Sequence, residues 1–72
     1  MEDIKIKLES EYIKLDQLLK LANLVDSGGM AKEVIQEGYV YVNGQICTQR
    51  GRKIYPKDVV ELDDYLIEVE GK

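Results

Sequence analysis

The sequence predicts an α+β fold in which two short helices pack on a small, mostly antiparallel sheet. Three observations carry that expectation. Ile4, Ile6 and Leu8 alternate with Lys5 and Lys7, the period of a half-buried strand. From Leu15 onward the apolar residues recur at helical spacing instead. After Gly38 the chain returns to short strand-like runs broken by the turn signals Asn43-Gly44 and Asp63-Asp64.

The first helix rests on Leu15, Leu18, Leu19 and Ala22, an apolar stripe that Leu21, Leu24 and Val25 would widen. Asp16 falls near its start, where the helix dipole favours an acid. Ser27 suits the N-cap of a second helix, with Ala31, Val34 and Ile35 as the buried face. Gly38 is placed to end that helix in a left-handed conformation. Tyr39 to Val42 then reads as a strand, which assigns Tyr39 and Tyr41 to packing. Asn43-Gly44 fits a type I′ hairpin turn, which needs positive φ at both central residues. Ile46 opens the return strand, and Cys47 follows it there as a small core residue. Val59, Val60 and Leu62 suggest a further strand, and Tyr65 to Val69 another. Asp63-Asp64 makes the turn between them.

At 72 residues the chain is expected to form one domain over residues 1–72. A domain near this size buries only about 60% of its unfolded surface, which leaves little room for a deep pocket. No apolar run reaches the roughly 20 residues needed to span a bilayer. The acidic start, Met1-Glu2-Asp3, has no signal-peptide character. Cys47 is the one cysteine and has no internal partner for a disulfide, so a cytoplasmic protein is expected.

Histidine is absent. With one cysteine besides, the chain lacks the ligands of a zinc site and the residues of a Ser-His-Asp or Cys-His arrangement. The carboxylates sit in solvent-type runs such as Asp63-Asp64 rather than as an acid/base pair. The expectation is a protein that is not an enzyme, with no metal and no cofactor.

The net charge is −4, yet it is unevenly spread. Lys14 to Lys57 holds seven basic and four acidic residues, a local +3, and the two ends hold three basic and ten acidic, a local −7. Screening over a Debye length of ~8 Å makes the local charge the relevant one for contact with a phosphate. Two motifs fall in the positive part. In Ser27-Gly28-Gly29 the missing side chains would let a phosphate approach the free N–H groups of a helix start. A tight interhelix turn needing unusual φ accounts for the glycines equally well. Lys32, about one turn further on, and Lys14, at the start of the first helix, add charge. Arg50-Gly51-Arg52-Lys53 is the densest cationic run, and arginine offers a fork that matches phosphate oxygens. In a domain this small the run could lie beside the Ser27 helix start. Tyr55, next to it, is the one tyrosine left open for base stacking.

The pattern LDQLLK, SGGMAK, IQEGYVYVNGQ, RGRKI at these spacings resembles the S-four RNA-binding domain, and within it the free-standing bacterial YaaA/YbcJ type. The likeness covers roughly Tyr12 to Val60. It implies an alpha-L motif, two helices and a hairpin forming an RNA-binding groove. It also implies that Lys14, Ser27, Gly28, Gly29, Lys32, Arg50, Arg52 and Lys53 line that groove, with Lys20 a further position where this type carries lysine. Structured RNA would be the partner, expected to be ribosomal RNA or the large ribosomal subunit, in ribosome assembly or quality control. A monomer without membrane contact is expected. Two departures stand out. Many family members carry arginine after the serine, where this chain has Gly28-Gly29, which favours backbone contact. The family usually has Gly-Asp before the last strands, and Lys57-Asp58 stands here, so positive φ at Lys57 would bring strain. The rival reading is a protein-interaction adapter of the same fold that binds no RNA. A subunit that delivers RNA to a separate enzyme is a third.

Overall fold

A computed structural model describes residues 2–71. Strand β1 (Glu2–Lys7) carries the expected alternation, with Ile4 and Ile6 half-buried and Lys5 and Lys7 exposed. A two-residue strand, β2 (Ile13–Lys14), runs directly into α1 (Leu15–Leu21). Leu15, Leu18 and Leu19 are fully buried along α1. Leu21 does not widen that stripe. It lies two residues past Leu19, about 200° around the helix, and is 56% exposed. The helix stops where Asn23 takes a left-handed φ of 60°. The Asn23 N–H then reaches the Lys20 carbonyl and the Leu24 N–H the Leu19 carbonyl.

Helix α2 (Gly28–Gln36) begins as its sequence predicts. Ser27 is extended, and its Oγ accepts the Met30 N–H at 3.1 Å. Ala31 and Ile35 are buried and Val34 half-buried. Gly38, at φ 84°, donates its N–H to Ile35, and Tyr39 donates to Val34. That pair of bonds satisfies carbonyls the helix would otherwise leave open.

Strand β3 (Val40–Val42) turns through Asn43 (φ 51°) and Gly44 (φ 84°) into β4 (Gln45–Ile46). Both φ values are positive, as a type I′ turn requires. Cys47 lies just past the end of β4, not within it. It is buried, and its N–H still bonds to Val40. Strands β5 (Lys53–Ile54), β6 (Val59–Leu62) and β7 (Tyr65–Glu70) complete the chain. Five strands form one sheet in the order β1-β7-β6-β3-β4, antiparallel except for the parallel pair β1–β7. A separate two-stranded antiparallel pair joins β2 to β5.

Alternation along the strands sends Val40, Val42, Val60, Leu62, Ile67 and Val69 to one face, where they meet the buried residues of both helices. The register places Tyr41, Glu61 and Leu66 in a row on the opposite face. Tyr39 and Tyr41 are therefore not packing residues, being 58% and 41% exposed. Seven of the ten acids of the two ends lie on this large sheet or in its turns: Glu2, Asp3, Glu61, Asp63, Asp64, Glu68 and Glu70. Lys5 and Lys7 stand opposite Glu68 and Glu70 in register, which offsets part of that charge.

The turn after β5 takes the positive φ at Lys57 that lysine adopts only with strain. An Asp58 N–H to Tyr55 carbonyl bond of 3.0 Å closes the turn, with Pro56 and Lys57 at its centre. Lys57 takes φ 79°, which a non-glycine residue adopts at a cost of roughly 1–2 kcal/mol. The Lys57 N–H bonds to Val69 at 2.8 Å, fastening the strained residue to β7.

Candidate nucleic-acid interface

The basic run is fixed by its backbone. Ile13 pairs with Ile54 and Lys14 with Lys53. One step on, the Leu15 N–H bonds to the Arg52 carbonyl at 2.9 Å, and the Asp16 N–H to the Arg50 carbonyl at 3.1 Å. The arginine loop thus satisfies two of the donors that the first turn of α1 leaves open. The result gathers Lys14, Arg50, Arg52 and Lys53, all exposed, around the start of α1. Among the described residues the backbone bonds of this run go to β2, to α1 and within its own loop, and none goes to α2.

Acids stand near these cations: Asp16 within α1, and Asp58, whose Oδ2 accepts the Tyr55 N–H just past β5. Asp16 is half-buried, and its Oδ1 accepts the Gln17 N–H at 2.8 Å. The four cations outnumber these two acids, and most of the remaining acids of the two ends belong to the large sheet.

The second group is the first turn of α2. Ser27, Gly28, Gly29 and Lys32 are exposed there. Ser27 satisfies the Met30 N–H, while among the described residues the N–H groups of Gly28 and Gly29 have no protein acceptor. Neither glycine has positive φ, so the turn does not need them for its conformation. Neither is needed for packing. A Cβ at Gly28 would meet nothing within 4 Å, and one at Gly29 only Ser27 Oγ at 3.8 Å. Two helix positions are thus occupied by the poorest helix former after proline with no conformational or steric demand for it. Lys20 is exposed in the last turn of α1.

Tyr12 was not among the expected site residues. Its ring lies 4.9 Å beneath the Lys53 ammonium and 5.9 Å from the Tyr55 ring. The signal that would have found it is the register of β2 against β5, two strands too short to show periodicity.

This geometry has relatives. The family model described as S4 domain matches residues 6–70. The chain belongs to the S4 domain family. A Bacillus subtilis (strain 168) protein named Probable ribosome maturation protein RlbA is 47% identical over 60 residues, covering 83% of this S4 domain chain and 84% of that protein. The solution structure of YbcJ from E. coli, whose title describes an alpha-L motif involved in RNA-binding, matches with a TM-score of 0.68. It is 30% identical and covers 97% of this chain and 87% of YbcJ. The two helices and the sheet of this S4 domain therefore have the alpha-L architecture that the sequence resemblance implied.

Proposed function

We propose that this chain is an RNA-binding protein, one S4 domain over residues 1–72, that acts by binding rather than by catalysis. The observation that carries the reading is the clustering of Lys14, Arg50, Arg52 and Lys53 at the start of α1 by backbone bonds from two distant segments. Exposed cations held in fixed positions suit the phosphates of folded RNA, which is recognised largely through backbone and shape. The Gly28 and Gly29 amides supply further donors to phosphate, and Lys32 and Lys20 supply charge. The name of RlbA supports a role in ribosome maturation, and the motif described for YbcJ supports RNA binding. The partner of this reading is ribosomal RNA or the large ribosomal subunit, in assembly or quality control. The protein acts as a cytoplasmic monomer.

The test is a gel-shift or filter-binding titration with ribosomal RNA fragments. Arg50→Glu combined with Arg52→Glu abolishes binding and leaves the fold intact, since both side chains are exposed and only their carbonyls hold α1. Unchanged affinity would remove the site. One observation favours the adapter reading: Tyr41 and Ile46 face each other across β3 and β4, and both are exposed. An adapter working through that face would bind RNA weakly at any salt.

A further inference from the structure

The pairing of β2 with β5 builds a small outward face that the proposed phosphate site does not exhaust. In a strand, alternate residues share a face. Ile13 and Ile54 point inward, Ile54 being fully buried. Lys14 and Lys53 therefore point outward, directly opposite one another. The same register, continued by one residue, sets Tyr12 across from Tyr55, and their rings stand 5.9 Å apart at an interplanar angle of 48°. Four side chains thus form a block, two lysines beside two tyrosines. Like charges placed directly opposite in a sheet are unfavourable in the free protein. Tyr12 is the half-buried ring, and the Lys53 ammonium already covers it at 4.9 Å. Tyr55 is 47% exposed. Its backbone is clamped on both sides: its N–H donates to Asp58 Oδ2 at 2.8 Å, and its carbonyl accepts the Asp58 N–H.

We infer that this block is a binding site for one unpaired nucleotide. The base stacks on the exposed Tyr55 ring, and the adjoining phosphate sits between Lys14 and Lys53, where it relieves their repulsion. Aromatic rings beside cations are what single-stranded nucleic acid requires, because every base offers a stacking face and every nucleotide a phosphate. The inference rests on the RNA-binding reading and narrows it. The target is a folded RNA with an unstacked nucleotide next to its helix, not an uninterrupted duplex.

Two RNA hairpins of identical stem test this, one fully paired and one carrying a single bulged 2-aminopurine. The wild-type protein should bind the bulged hairpin about tenfold more tightly and quench its fluorescence. Tyr55→Leu, which keeps an apolar contact for Tyr12 but has no aromatic face, should lose both the preference and the quench. Tyr55→Phe should keep both, and circular dichroism melts check that each variant is folded. Equal wild-type affinity for the two hairpins without quenching overturns the nucleotide site and leaves the phosphate-binding proposal standing. Binding of neither hairpin overturns both. Displacement of the bulged hairpin by an oligoglutamate peptide at equal concentration shows a general anion site and removes the assignment to a nucleotide.

Discussion

Asn43 and Asp58 are joined side chain to side chain, the Asn43 amide donating to Asp58 Oδ1 at 3.0 Å. Asn43 also accepts the Val59 N–H through its Oδ1 at 2.9 Å. The residue thus takes a positive φ at the β3–β4 turn and ties that turn to the one holding Tyr55. Asn43→Gly keeps the backbone conformation and removes both bonds. The expected cost is about 1–2 kcal/mol, read as a lower urea midpoint with an unchanged slope.

Lys57 offers the opposite effect. Its φ of 79° is one that glycine adopts freely. Lys57→Gly should stabilise the protein by about 1 kcal/mol, after the greater unfolded-state freedom of glycine is subtracted. For a domain of this size that is a rise of roughly 4–8 °C in Tm. No change on a melting curve would mean that the turn carries no strain.

Ser27 separates stability from binding. Ser27→Ala removes the acceptor for the Met30 N–H and should cost about 1 kcal/mol. Ser27→Asp caps the helix as well as serine does, so its melting temperature should match the wild type. The new carboxylate stands beside the Gly28 and Gly29 amides and should weaken RNA binding severalfold. A variant that melts normally and binds normally would place the RNA elsewhere.

Lys14 and Lys53 make a further pair of opposing demands. Lys14→Glu turns a repulsive cross-strand pair into an attractive one. At low salt the free protein should gain a few tenths of a kcal/mol in urea unfolding. Its affinity for RNA should fall at the same time. Loss of stability in this variant would show that the pair is not repulsive in the free protein.

The features legible in the sequence are those decided within a few residues. Ser27 capping α2, Gly38 ending it, and Asn43-Gly44 turning the hairpin each follow from one residue's chemistry. At Lys57 the sequence resemblance marked only what a positive φ would cost, and the structure supplied the φ of 79° itself. What escaped depends on residues far apart. The strands β2 and β5 have two residues each, too few for a period, so the placement of the basic run beside α1 and the role of Tyr12 were hidden. Leu21 is apolar but sits off a seven-residue stripe. Tyr39 and Tyr41 look like packing residues in a strand until it is known that the helices cover one face of the sheet only.

The central claim is that exposed cations at the start of α1 hold RNA by its phosphates. The direct measurement is the affinity for a ribosomal RNA fragment across a series of salt concentrations, for the wild type and for Arg50→Glu with Arg52→Glu. Four phosphate contacts give a slope of roughly −3 to −4 in log affinity against log salt, and the variant should show a much shallower slope with weaker binding at every concentration. A flat wild-type slope, or the same slope in both proteins, would contradict it.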